Sequence, residues 1–219
     1  MIEGALFDMD GTLVDNSAVH VQAFEIFCAR YGVTDWQEKL AHAFGMGNDD
    51  IMRSIMPEHV IRDKGLAALA DEKEAIYREI YAPTIRPVEG LTELLGRLRT
   101  AGIRCAVGSS GCRTNIDFVL EKCGIEGYFD AIVSGDRVTR CKPDPEIYLT
   151  AAAALGLQPA ECVVFEDAKA GIEAARKAGA GRIVALTTTL PREVLAVETD
   201  ADPIIDTFAD ITELKTILK

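Results

Sequence analysis

Four short stretches of the 219-residue chain carry side chains that could do chemistry together: Asp8-Met9-Asp10-Gly11-Thr12, Ser109-Ser110, Lys142-Pro143 and Glu166-Asp167. Asp8 and Asp10 follow the apolar run Gly4-Ala5-Leu6-Phe7 and stand two residues apart. Alternation along an extended backbone turns both carboxylates the same way. Such a pair suits a nucleophile and a proton donor around a metal ion. Each stretch also has a plainer reading. Asp10-Gly11 could be a turn with solvated acids, Ser109-Ser110 a helix cap, Lys142 an exposed loop lysine, and Glu166-Asp167 a helix-start acid pair. What favours chemistry is that all four fall at comparable places in the fold.

Those places follow from the pattern of elements. Gly4-Ala5-Leu6-Phe7 reads as a parallel strand covered on both faces. From Glu89 onward, helices alternate with strands at 103–108, 131–133, 162–165, 182–186 and 203–205. Leu91, Leu94, Leu95 and Leu98 mark one of these helices. Strand–helix alternation with short connections predicts an α/β fold built on a doubly wound parallel sheet. Ligands of such sheets sit outside the carboxyl ends of the strands, which is where the acids and serines fall, with Lys142 in the loop after the third strand.

Residues 15–87 show only helical periodicity and predict an inserted helical cap, with the core formed by 1–14 and 88–219. Ser17 is expected to cap a helix placing Val21, Phe24, Cys28 and Tyr31 on one face. Further helices are expected within 35–44, from Asn48 with Ile51, Met52, Ile55 and Met56 inward, and from Leu66 to Tyr81.

Electrostatics narrows the chemistry. Asp8, Asp10, Glu166 and Asp167 would gather four negative charges that cannot all stay ionised without cations. Lys142 supplies one positive charge. A divalent ion bound by hard carboxylate oxygens supplies two more, and Mg²⁺, which also accepts phosphate oxygens, fits best. An acid that keeps its proton is ready to act as a general acid.

Asp8-x-Asp10-Gly11-Thr12, Ser109 after the second strand, Lys142-Pro143 and Glu166-Asp167 followed by Gly171 resemble the four ordered motifs of the haloacid dehalogenase superfamily. The helical insert, Lys142-Pro143-Asp144-Pro145-Glu146-Ile147-Tyr148 and Phe165-Glu166-Asp167 are similar to its β-phosphoglucomutase and sugar-phosphate phosphatase branch. The resemblance covers nearly the whole chain. It implies that Asp8 attacks phosphorus, Asp10 acts as acid and then base, and Lys142 bridges nucleophile and phosphoryl group. It further implies that Ser109 and the Ser110 N–H hold phosphoryl oxygens. Mg²⁺ would be held by Asp8, Asp167 and the Asp10 carbonyl with Glu166 in or near its surroundings, and Thr12 would steady the loop.

The same resemblance makes His20 and Lys73 of the cap, and Arg113 after the serine loop, candidates for substrate contact. In Phe44-Gly45-Met46-Gly47-Asn48-Asp49-Asp50 the chain departs from the mutases, which carry an arginine where Asn48 stands. With acidic neighbours, that loop disfavours a second phosphate. The expected function is therefore a Mg²⁺-dependent phosphatase of small phosphorylated metabolites, sugar phosphates foremost. A phosphoglucomutase-like transferase or a catalytically silent binding module are the alternatives.

Composition bounds the partners. A net charge of −12 opposes binding to nucleic acid or anionic membranes. With 48 % apolar residues the chain can bury a core, and no apolar run approaches the about 18 residues of a membrane span. Six cysteines without a Cys-x-x-Cys pair read as reduced thiols, and Met1-Ile2-Glu3-Gly4 carries no export signal, so a cytoplasmic protein is expected. The sequence does not fix its oligomeric state, for which a monomer is the expectation.

Overall fold

The four-residue segment Gly4–Phe7 (β1) lies at the centre of a six-stranded parallel sheet and is buried along its whole length. The computed structural model describes residues 1–43 and 48–219. The reading placed on Phe44-Gly45-Met46-Gly47 and on the Asn48 side chain lies outside the described residues. The other strands are Arg104–Gly108 (β2), Ala131–Val133 (β3), Cys162–Glu166 (β4), Arg182–Leu186 (β5) and Ile204–Ile205 (β6). Their spatial order is β3-β2-β1-β4-β5-β6. Chain order runs outward from β1 on one side and then, through β4, on the other. The loops after β1 and β4 therefore diverge, and the crevice between them is where an open sheet of this kind places its ligand.

Register sorts the two faces. Leu6 lies between Ala106 and Val164, and Phe7 between Val107 and Phe165. Leu6, Ala106 and Val164 pack with Tyr148, Ala151, Ile172 and Ala175 from the two helices covering one face. On the other face Phe7 stacks on Phe165 with centroids 4.5 Å apart, and Phe208 packs against both. Leu91, Leu94, Leu95 and Leu98 are fully buried there, as their spacing requires.

The chain divides into two compact units, residues 1–15 with 85–219 and residues 16–84. The expected joins at 14/15 and 87/88 differ from these by one and three residues. Among the described residues the second unit is entirely helical: Ser17–Arg30 (α1), Trp36–Ala43 (α2), Asn48–Ile55 (α3), Glu58–Lys64 (α4) and Leu66–Tyr81 (α5). α4 was not expected. None of its residues is buried, so it offers no apolar stripe to read, and Pro57 simply opens it. The inward arc of α1 is Ala23, Phe24, Phe27 and Cys28, while Val21 sits at its edge and is 51 % exposed, contrary to expectation. The α1 N-terminus is not closed by a side-chain cap. Asn16 instead donates to the Tyr77 hydroxyl at 2.6 Å, tying α1 to α5.

In the first unit the remaining helices are Leu91–Thr100 (α6), Arg113–Cys123 (α7), Glu146–Ala154 (α8), Lys169–Ala178 (α9) and Arg192–Glu198 (α10). None of the six cysteines forms a disulfide. Among the described residues no helix is long and apolar enough to cross a membrane.

Candidate active site

Beyond β1 the backbone stays in the sheet for one more residue, the Asp8 N–H pairing with Phe165 O at 3.0 Å. It then turns as the Thr12 and Leu13 N–H groups both reach Met9 O. Gly11 makes this turn with φ of +76°, and a β-carbon there would overlap the Asp167 carboxylate. Glycine is thus required at position 11 both by backbone conformation and by crowding. The result is a buried Asp8 at the strand end and a half-buried Asp10 beyond it.

The β4 end supplies the opposing wall. Glu166 accepts four hydrogen bonds: from Lys142 Nζ at 2.6 Å and Tyr148 OH at 2.7 Å on Oε1, and from the Asp167 and Ala168 N–H groups at 3.0 and 3.1 Å on Oε2. Gly171, in the first turn of α9, leaves the space this carboxylate occupies. Lys142 donates equally to Asp8 Oδ1 at 2.6 Å, so one ammonium bridges the ends of β1 and β4. Its Nζ also lies 4.8 Å from the centre of the Tyr148 ring. Asp167 takes the Thr12 hydroxyl at 3.2 Å on Oδ1 and the Thr189 hydroxyl on Oδ2, while Thr188 donates to Gly11 O.

Three carboxylates and one ammonium, all buried, leave an excess of negative charge. Protonation relieves it. Burial pushes the Asp8 carboxyl well above its ordinary range; Lys142 opposes that shift, and Glu166, Asp167 and Asp10 add to it. Asp167 is pushed up to about 7, by burial first and Glu166 next, against the stabilising Thr189, Lys142 and Thr12. Lys142 moves the other way for a buried lysine. Burial disfavours its charge, but Asp8 and Glu166 outweigh that and hold it protonated. Asp8, Glu166 and Asp167 each offer an oxygen within 4.8 Å of the others, a cluster that could hold a metal ion. A cation there would let Asp8 and Asp167 ionise together.

The structure therefore brings Asp8, Thr12, Lys142, Glu166 and Asp167 into one hydrogen-bonded cluster. Ser109 is buried at the end of β2, its hydroxyl accepting the Gly111 N–H at 3.0 Å. A β-carbon on Gly111 would lie 3.3 Å from that hydroxyl and 3.5 Å from Asp10 Oδ2, so Ser109 and Asp10 flank the same glycine. Ser110 is exposed, and so is Arg113, whose guanidinium pairs with Asp117 one turn along α7 at 2.8 Å. His20 and Lys73 belong to the helical unit. There the buried Lys73 Nζ donates to His20 Nδ1 at 3.0 Å and Glu74 Oε1 at 2.9 Å, and the imidazole stacks on Tyr77.

Three contributors escaped the sequence reading. Tyr148 stood within a recognised motif but was given no role. Thr188 and Thr189 follow β5, whose carboxyl end went uninspected even though three consecutive threonines stand there. Reading that strand end like the others would have found them.

Residues 5–185 match the model of the haloacid dehalogenase-like hydrolases, and the chain belongs to that family. Among its relatives, the phosphorylated carbohydrates phosphatase of Thermotoga maritima is 29 % identical over 99 % of this chain and 100 % of its own length. The validoxylamine A 7'-phosphate phosphatase of Streptomyces hygroscopicus subsp. limoneus is 34 % identical over 98 % of this chain and 97 % of its own. Among solved structures, CbbY from Rhodobacter sphaeroides in complex with xylulose-(1,5)bisphosphate superposes with a TM-score of 0.84 at 26 % identity, covering 99 % of both chains.

Proposed function

We propose that this protein is a Mg²⁺-dependent phosphatase that hydrolyses small phosphate monoesters, phosphorylated sugars above all, in two displacements. The observation that carries the reading is Lys142: a buried ammonium 2.6 Å from both Asp8 and Glu166, beside a third acid. It is a site built to hold negative charge in balance, and a phosphoryl group brings the charge it is matched to. Relatives named as phosphatases of phosphorylated carbohydrates support the substrate class.

Asp8, Asp167 and the Asp10 carbonyl would hold the ion. The donor set fits, being hard oxygens with two acids whose charge burial disfavours. When bound, Mg²⁺ supplies positive charge against the acids and the phosphoryl oxygens. Glu166, already accepting four hydrogen bonds, serves as the anchor of Lys142.

Asp8 attacks phosphorus with a carboxylate oxygen, the bond from phosphorus to the ester oxygen breaks, and Asp10 gives its proton to that oxygen. The ionised Asp10 then takes a proton from water as the water attacks the aspartyl-phosphate, returning Asp8 and inorganic phosphate. Lys142 offsets charge on the phosphoryl group in both steps, and Ser109 with the Ser110 N–H receives its outer oxygens. The helical unit is assigned water exclusion and substrate selection. The setting is the cytoplasm, in keeping with six cysteines that form no disulfide, and the protein acts as a monomer.

A panel of several dozen phosphorylated metabolites, assayed with Mg²⁺ for phosphate release, tests the proposal. Wild-type protein is expected to release phosphate from sugar phosphates and Asp8→Asn from none. Isomer interconversion without phosphate release would replace hydrolysis by transfer between sugar hydroxyls. Silence across the panel would leave a binding module.

A further inference from the structure

The loop carrying Lys142 has no regular secondary structure, yet it must deliver an ammonium group into a buried site. Its two ends are joined by one side chain. Glu146, the first residue of α8, accepts the Thr139 N–H at 2.9 Å on Oε1. On Oε2 it accepts the Thr139 hydroxyl at 2.7 Å and the Arg140 N–H at 3.0 Å. Six residues thus separate the carboxylate from the far end it holds, and Lys142 sits between them. Inside the clasp, Asp144 accepts the Glu146 N–H at 3.1 Å and pairs with Arg140 at 3.1 Å, and its own N–H reaches Cys141 O. Lys177 of α9 donates to Pro143 O at 3.2 Å.

We propose that Glu146 is a positioning residue: by closing the 139–146 loop onto the start of α8, it holds Lys142 in place between Asp8 and Glu166. The proposal rests on the phosphatase reading for its kinetic consequence, but not for its structural one. The Thr139 and Arg140 N–H groups both donate to this one carboxylate, so it fixes the far end of the loop against the start of α8. A lysine with four rotatable bonds on an unclasped loop would spread over many positions before reaching the two acids. The side chain is partly exposed and lies outside the acid cluster, so its charge is not needed to balance the site. The donor set is what matters. The hydrogen bonds from Thr139 and Arg140 hold the Glu146 carboxyl below its usual range, so it stays an acceptor at neutral pH.

Two readouts test this on the full-length protein. The first needs no turnover: competitive acetylation of Lys142 by acetic anhydride, followed by mass spectrometry. In wild type the bridged lysine is expected to be protected, and in Glu146→Ala to react at least about tenfold faster, with Glu146→Gln in between because it keeps some of the acceptors. The second is steady-state hydrolysis of p-nitrophenyl phosphate at saturating Mg²⁺. Glu146→Ala is expected to lower kcat by about 10- to 100-fold with KM little changed, because a misplaced group costs rate rather than binding. In Lys142→Ala the added Glu146→Ala change is expected to cost nothing further. A role in stability alone would lower the melting temperature but leave Lys142 protected, and kcat per folded molecule unchanged. Equal acetylation of wild type and Glu146→Ala would overturn the proposal. Absence of hydrolysis by wild type would sink the phosphatase reading while the acetylation result still stands.

Discussion

Tyr148→Phe isolates one bond of the acid cluster. The substitution removes a single oxygen from a fully buried side chain and leaves the ring, its packing against Ala151 and the strand faces, and its contact with Lys142 in place. What is lost is the 2.7 Å hydrogen bond from the phenol to Glu166 Oε1. Burial, then the nearby Glu166 and Asp8, push the phenol well above its ordinary range, so it is a donor at any pH of interest. Glu166, itself almost fully buried, retains Lys142 and two backbone N–H groups but has lost one of four donors. A hydrogen bond to a charged group contributes about 1.5–3 kcal/mol. For a chain of this length each kcal/mol moves the midpoint by about 2–4 °C, so the expected drop is roughly 3–12 °C. The assay is thermal and urea unfolding with chelator present, so that metal binding does not add its own stabilisation. A double-mutant cycle with Glu166→Ala, which removes the acceptor outright, assigns the loss to this pair. A change below about 0.5 kcal/mol, or a coupling near zero, would show that Glu166 is not organised as described.

Two further outcomes follow from the same cluster. Thr189→Val removes the hydroxyl on Asp167 Oδ2 and is expected to weaken Mg²⁺ binding by about 10- to 100-fold, read by titration calorimetry, with the melting temperature of metal-free protein little lowered. In metal-free protein, Asp167 has a folded pKa of about 7 against 3.8 for the free side chain. The folded state thus binds the extra proton between those values, so the contribution of this group to stability is fully present below about pH 4 and is lost as pH rises towards 7. At about 1.4 kcal/mol per pH unit the loss from this group is on the order of 4 kcal/mol, measured by urea unfolding in chelator. Added Mg²⁺ is expected to restore it at pH 7, with a proton released on binding; equal stability at pH 4.5 and 7 without metal would contradict the assignment.

Why some of this was legible and some not has physical reasons. Asp8, Glu166 and Asp167 could be placed because their strands are short, wholly apolar and end in charge, and a parallel sheet puts all such ends on one side. The Leu91–Leu98 stripe was readable because every member is buried. The arc of α1 was read one position too wide, since Val21 has the right spacing but lies at the rim. α4 buries nothing and so leaves no periodic trace. Tyr148, Thr188 and Thr189 act through hydroxyls on groups far away in sequence. Neither period nor charge marks such a residue, and only the fold reveals which acid it faces.

The central claim is that Asp8 is the atom-transfer point of the site. Wild-type protein mixed with a ³²P-labelled sugar phosphate and Mg²⁺, then acid-quenched within milliseconds and digested, should yield a labelled peptide containing residue 8. The label should be released by hydroxylamine and be missing in Asp8→Asn. Phosphate release with no labelled protein at any time, or a label that survives in Asp8→Asn, would contradict the account.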